Sequence, residues 1–504
     1  MKYTLIILTC LFLGLNACSD PGKTEEKPNI VFLLCDDLRW DAMGHMGNEF
    51  TITPNIDELA HESVRFQNAY HVSPVCMPSR ASIMLGQYLG THGSGFDRPS
   101  NYTVTNKEYN SSYPAVLKSG GYYTGFIGKF GFAVGEGGKI DNHKLENKEE
   151  YMPKAYFDRW YGFPGQGSYR PRKDGTFNGY ENSWDAEHLN EFMGYQAIDF
   201  IREAKKSDKP FCLSVSFKAP HAPFDPEKKF RELYDDMQVE RMNNDLPEYF
   251  ENLPRAVREK SRNAKWYFGR HKPPREDWHI ELDEVYQEFI KNYYALITGV
   301  DDVVGRIREE LEDAGLAENT VVIFTSDNGF FCGSRQLMGK VLLYDESTRA
   351  PMIIYDPRTM KGKESRIENG LISHVDIAPT ILEIAGMEKP ATMQGESFLP
   401  LVMDDAEEIH EAVYGENNFN NWLPLSTEVD DPDSYISIRS KFVRTREYKF
   451  IRYHECKPVV EELWNMTEDP METKNLVNDP DHQDVLLEMR EKLDSFEKTY
   501  VHFK

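Results

Sequence analysis

The sequence predicts an α/β protein: a doubly wound, mostly parallel sheet, followed by a smaller C-terminal α+β subdomain containing an antiparallel sheet. Three observations carry this. The apolar runs Asn29–Cys35, Phe211–Phe217 and Val321–Thr325 have the pattern of strands buried on both faces. Helical periodicity over Ala186–Lys205, Asp283–Ala314 and Asp376–Ala385 alternates with them. Past about residue 402 the character changes, and Phe442–Tyr453 alternates like one antiparallel strand.

Taken in order, Met1-Lys2 precedes an apolar run, Tyr3–Leu15, that is too short to span a bilayer comfortably. It reads as a signal peptide over residues 1–17, with a polar tether at 18–27. The ending Leu15-Asn16-Ala17-Cys18 resembles a bacterial lipobox. That implies a lipid anchor at Cys18 and an exported lipoprotein, periplasmic, associated with the outer membrane or displayed at the cell surface. The main domain is placed at 28–401 and the C-terminal subdomain at 402–504.

The first strand ends in Asp36-Asp37, two carboxylates that are costly beside a buried strand unless something positive neutralises them. Thr53-Pro54 reads as N-cap and first residue of a helix running to about Glu62. Val64–Tyr70 is a strand that delivers the chain to Cys76, and a helix is expected near Pro114–Lys118. Thr124–Lys129 is a short strand ending in a lysine, Met352–Tyr355 is another strand, and Pro379 belongs in the first turns of its helix. In doubly wound sheets ligands bind at the carboxyl ends of the strands. Asp36, Asp37, Lys129, His221, Asp327 and Asn328 all fall just after predicted strands, so the fold brings them together. Asp36, Asp37, Asp327 and Asn328 form an all-oxygen set, which selects a hard cation, calcium or magnesium, over zinc.

A formal charge of −25 argues against nucleic-acid or general membrane-surface partners, leaving membrane contact to the anchor at Cys18. Seven cysteines propose no disulfide framework, since Cys35 and Cys212 lie in strand-like runs and Cys332 and Cys456 have no obvious partners. The cluster Arg255, Arg258, Lys260, Arg262, Lys265, Arg270, Lys272 and Arg275 is a candidate surface for a polyanion.

The remaining signal is Cys76-Met77-Pro78-Ser79-Arg80, ahead of an alternating small and apolar run that Arg80 opens as a helix. Cys76 then sits just before a helix N-terminus, where free N–H groups and the dipole favour an anion. This pattern resembles the signature of the type I sulfatases of the alkaline-phosphatase-like superfamily, and the resemblance extends from about Pro28 to Asp479. It implies a sulfatase fold, a sulfuric ester hydrolase, and conversion of Cys76 to Cα-formylglycine by a maturation enzyme. It implies calcium held by Asp36, Asp37, Asp327 and Asn328, with a hydroxyl of the modified Cys76 or the bound sulfate completing the set. Arg80 would hold the nucleophile, Lys129 and Lys340 would grip sulfate, and His221 would share general-acid duty with Lys340. Ser326–Gly329, Gly339-Lys340, Tyr344 and Arg349 are close to the second family signature, and Leu463–Leu476 resembles the usual ending.

Two departures stand out. The family commonly reads Gly-Lys-Trp-His after the third strand, and the histidine position is Gly131 here, leaving Lys129, a water or a histidine from elsewhere such as His143 as the substitute base. A second histidine, expected just before Lys340, is replaced by Ser334-Arg335-Gln336. Tyr161–Tyr169 is similar to a stretch of carbohydrate sulfatases, which implies a sulfated glycan as substrate. Asp97, Arg98, Asn418 and Trp422 are pocket candidates by position. The expectation is therefore hydrolysis of carbohydrate sulfate esters. A phosphodiester or phosphonate monoester hydrolase of the same fold, and a non-catalytic glycan-binding lipoprotein, are the competing readings.

Overall fold

The computed structural model describes residues 26–136, 139–171, 186–261, 278–360, 362, 365–420 and 435–500. The proposed signal and anchor, Trp422, and the basic cluster from Arg262 onward lie outside the described residues.

β1 (Asn29–Asp36) is followed by α1 (Pro54–His61), β2 (Val64–Tyr70) and α2 (Cys76–Leu85). A two-residue ribbon pairs β3 (Val104–Thr105) with β5 (Val134–Gly135), and between them lie α3 (Tyr113–Ser119) and β4 (Tyr123–Lys129). Then come β6 (Arg159–Phe163), α4 (Leu189–Ala204), β7 (Phe211–Pro220), α5 (Trp278–Asp313), β8 (Thr320–Ser326), β9 (Met352–Tyr355), β10 (Arg366–Ser373) and α6 (Ile377–Ile384). The main sheet has eight strands in the order β10-β2-β9-β8-β1-β7-β4-β6. Only β9 among them runs antiparallel to its neighbours.

The run on β1 is continuous because both its faces are covered. Val31, Leu33 and Cys35 pack with α1, α4 and α5, while Ile30, Phe32 and Leu34 pack with α2, α3 and α6. Side chains alternate across a strand, so an all-apolar run needs a helical layer on each face. Full burial of a side chain such as Phe32, 1% exposed, stabilises by about 2–3 kcal/mol.

Register then builds the site. Cys35 pairs with Ser326, so Asp36-Asp37 and Asp327-Asn328 leave the sheet side by side. Asp36 pairs with Pro220 and Gly128 with Ser216, which brings His221 and Lys129 to the same edge.

The C-terminal part contains a four-stranded antiparallel sheet, β11 (Val413–Asn417), β12 (Ser440–Arg444), β13 (Tyr448–Tyr453) and β14 (Val460–Asn465), in that order. α7 (Gln483–Tyr500) covers it through Leu486, Met489, Leu493 and Phe496. The segment expected to be one strand, Phe442–Tyr453, is instead a hairpin broken at Thr445, where the Thr445 amide donates to the Tyr448 carbonyl. Buried ions join this sheet to the main domain. Lys449 Nζ lies 2.8 Å from both Asp345 and Glu472, and Arg335 Nη2 lies 3.4 Å from Glu472. Glu462 accepts hydrogen bonds from Tyr344 and Tyr453, each at 3.0 Å.

Candidate active site

Cys76 is the first residue of α2, so the helix begins four residues before the expected start at Arg80. Pro78 fits there because a first-turn residue has no intrahelical use for its N–H. The thiol is buried and donates to Asp36 Oδ1 at 3.3 Å, while Lys340 Nζ approaches the sulfur to 2.6 Å. Burial, and then the Asp36 charge, push the thiol up to about 12. As a cysteine it is therefore a poor nucleophile.

Arg80 lies one turn further along and is wholly buried. Its Nε donates to Asp327 Oδ2 at 2.6 Å, and its Nη1 donates to the Lys129 carbonyl at 2.8 Å and to Ser216 Oγ. Lys129 Nζ donates to Asp36 Oδ2 at 2.5 Å and to Gln166 Oε1 at 2.7 Å. Lys340 Nζ donates to Asp37 Oδ1 and, at 3.2 Å, to Asn328 Oδ1. Burial alone would raise the Asp36 carboxyl, but the charges of Lys129, Arg80 and Lys340 outweigh it and hold Asp36 well below the usual carboxylate range.

Asp37 has φ 65°, a left-handed conformation that an aspartate tolerates. The turn it makes lets its amide donate to Asp327 Oδ1 at 3.3 Å. His221 donates through Nδ1 to the Ala222 carbonyl at 2.7 Å, and burial pushes its pKa down to about 4. Its Nε2 is thus a lone pair, 3.7 Å from Asp37 Oδ2. Two acceptors facing each other at that distance ask for a cation between them. The ligand atoms of Asp36, Asp37, Cys76 and His221 all lie within 4.8 Å of one another. The Lys340 ammonium stands among the oxygens of Asp37 and Asn328 as a stand-in for positive charge. Oxygen-rich donors around such a centre fit a hard cation, with His221 as a neighbour that the sequence had not placed in the set.

A family model described as Sulfatase matches residues 28–387. The chain belongs to the sulfatase family. A second model, N-sulphoglucosamine sulphohydrolase, C-terminal, matches residues 333–499. The sulfatase is 27% identical to an N-acetylglucosamine-6-O-sulfatase of Bacteroides thetaiotaomicron, over 98% of this chain and 91% of the relative. It is 27% identical to an arylsulfatase of Clostridium perfringens, over 91% of this chain and 92% of the relative. Its fold matches a solved structure bound to its substrate D-glucosamine-2-N,6-O-disulfate, with a TM-score of 0.74, 24% identity, and 94% and 98% of the two chains covered. It is a sulfuric ester hydrolase by family.

Both departures from the family pattern have a structural reason in this sulfatase. Gly131 has φ 93°, and a Cβ there would collide with Cδ of Arg80. The space that a histidine would need is filled by arginine. Arg335 points away from Cys76, donating to the Glu472 carbonyl at 2.8 Å and to the Met471 carbonyl. Of the substitute bases, Lys129 is engaged by Asp36, and His143 Nε2 pairs with the Phe96 carbonyl at 2.7 Å.

The pocket candidates meet in part. Asp97 Oδ2 accepts from the Asn420 amide at 2.9 Å, which joins the loop beyond α2 to the C-terminal sheet. Asn142 Nδ2 reaches the Gly95 carbonyl at 3.0 Å and Met77 Sδ at 3.4 Å, so this loop borders the Cys76 helix. Arg98 is an exposed partner of Asp141 at 3.5 Å, and Asn418 is buried against Glu416 at 3.1 Å, an inward role. The sequence reading passed over Lys218. It is buried over the Tyr169 ring, 4.8 Å from its centroid, and donates to the Ala222 carbonyl at 2.9 Å. Burial, only partly offset by Asp36, lowers it to about 8. A lysine inside an otherwise apolar strand was the available signal. Gln166, also missed as a site residue, lies within Tyr161–Tyr169.

Proposed function

We propose that this sulfatase hydrolyses sulfate esters on a carbohydrate, through a formylglycine made from Cys76 by a maturation enzyme and with a bound calcium ion. The observation that carries this reading is the buried convergence of Asp36, Asp37 and Cys76 within 4.8 Å, ringed by Arg80, Lys129 and Lys340. Asp36, Asp37, Asp327 and Asn328 would hold the cation, which when bound supplies the charge that acidifies a hydroxyl and polarises sulfate. Lys129 and Lys340 neutralise the non-bridging sulfate oxygens as the bond to the leaving alcohol lengthens. Arg80 fixes Asp327 and keeps positive charge behind residue 76. His221 Nε2, protonated from solvent as the substrate anion approaches, gives that proton to the oxygen of the departing alcohol and is left neutral, with Lys340 beside it.

The sugar class is supported by relatives that bear the names of amino-sugar and ulvan sulfatases, the latter 27% identical in Formosa agariphila. Cys18 as a lipid anchor in the cell envelope would place the enzyme where glycans arrive. The test is sulfate release from a panel of sulfated mono-, di- and polysaccharides, with phosphonate and phosphate esters alongside. Active protein should carry a Cys76 peptide about 18 Da lighter than its cysteine form. Cys76→Ala should fold normally and lose about 10⁴-fold or more in turnover. Full activity in that variant, or turnover confined to phosphonates, would reject the reading.

A further inference from the structure

Apart from the Cys76 site, a cavity of about 520 Å³ opens between the loop after β1, the segment around 240–244 and the turn at Pro470–Glu472. None of the residues gathered around Cys76 lines it. It shares a wall with the active site, since Gly329, beside Asn328, packs against the Glu346 carbonyl too closely to admit a Cβ. Its volume lies in the range of sites for small organic ligands.

Two side chains in the lining, Asn244 and Glu346, are each 4% exposed and hydrogen-bonded to each other at 2.7 Å. Glu346 Oε2 and Asn244 Oδ1 have no hydrogen-bond partner among the described residues. Buried acceptors are costly when unpaired, so the place calls for a donor-rich occupant. The charge around it sets the sign. Arg39 is paired with Asp41 at 2.5 Å, Arg241 with Asp245 at 2.5 Å, and Arg335 with Glu346 at 3.1 Å. Arg349 lies over the Trp40 ring at 3.8 Å and donates to the Gln67 carbonyl. Glu49 and Glu240 line the same cavity and form no ion pair among the described residues. A sulfate group would therefore meet committed arginines and free carboxylates, an arrangement that selects against it. Phe50, half-buried in the lining, supplies aromatic surface for the apolar face of a sugar ring.

We propose that this cavity is a second saccharide site that binds an unsulfated sugar unit, whose hydroxyl or amino donors satisfy Glu346 and Asn244. It holds a desulfated residue of a glycan while Cys76 addresses a sulfated one. Binding here requires neither Cys76 nor sulfate, so the site stands or falls apart from the reaction proposed above.

The test uses the whole protein with N-acetylglucosamine, glucosamine and their 6-O-sulfated forms, read by saturation-transfer NMR and by crystal soaks. Asn243 and Glu240 are exposed at the rim, so Asn243→Trp and Glu240→Trp fill the mouth from two directions without touching the core. The expected result is binding of the unsulfated sugars, weakened about tenfold or more in both variants. Melting temperature and turnover of a small aryl sulfate should be unchanged, and density for the sugar should appear beside Asn244. Absence of binding to the wild type overturns the proposal. So does binding that both folded variants leave intact, or a sulfated sugar seated in the cavity as firmly as its unsulfated form.

Discussion

Around Cys76, Arg80, Lys129 and Lys340 face Asp36, Asp37 and Asp327; where the C-terminal sheet meets the main domain, Arg335 and Lys449 face Asp345, Glu346 and Glu472. Both groups are buried, yet they are finished differently. In the first, carboxylate oxygens, a thiol and an imidazole lone pair still converge on one centre. In the second, Arg335 reaches the carbonyls of Met471 and Glu472 and Lys449 reaches the hydroxyl of Thr348, so the cations tie neighbouring segments together rather than gather ligand atoms at one point. One arrangement holds charge ready for a reacting group. The other fastens the C-terminal sheet to the segment that carries Lys340, which lies only a few residues before Asp345 and Glu346.

The contrast breaks most sharply on the two lysines. Lys340→Met should cost about 10²–10³-fold in kcat/KM, because it removes charge from the reaction centre. Lys449→Met leaves Asp345 and Glu472 uncompensated and should cost about 3–5 kcal/mol in urea unfolding, with the kcat of the folded fraction nearly unchanged. A Lys449→Met enzyme that melts normally but fails to turn over would erase the distinction.

Gly131→Ala comes next. It adds a Cβ at a positive φ and against Arg80, so about 2 kcal/mol of stability should be lost. Displacing Arg80 from Asp327 should lower kcat/KM about 100-fold, measured on the same preparation.

The smallest effect concerns pH. Burial raises Glu462 to about 7, although Tyr344 and Tyr453 donate to it. A carboxyl whose folded pKa lies above its unfolded value near 4.5 favours the folded state when protonated. That contribution is full below about pH 4.5, fades as pH rises through about 7, and amounts to about 3 kcal/mol at most. Glu462→Gln should flatten the fall in melting temperature between pH 5 and 8; an unaltered slope would assign the proton elsewhere.

Much of this was legible in the sequence for physical reasons. Asn29–Cys35 and Val321–Thr325 read as central strands because burial on both faces leaves no polar position, and their ends then located Asp36, Asp37, Asp327 and Asn328. The hairpin at Thr445 did not read, since its turn lacks the glycine, proline or Asn-Gly that marks such a break. Arg335 was legible as a missing histidine but not as a strut, because sequence gives a side chain's type and not its direction. Lys218 stayed hidden for the opposite reason: its strand looked apolar, and only packing over Tyr169 shows why a lysine is accommodated there.

The fit between Gly131 and Arg80 also bears on how such a site can change over time. With the arginine's side chain filling the place of the missing Cβ, a histidine cannot be introduced there by one substitution without disturbing the residue that holds Asp327. The two positions are therefore coupled, and substitutions at Gly131 and Arg80 should be non-additive. A histidine at position 131 therefore needs a compensating change at position 80 if the hold on Asp327 is to be kept.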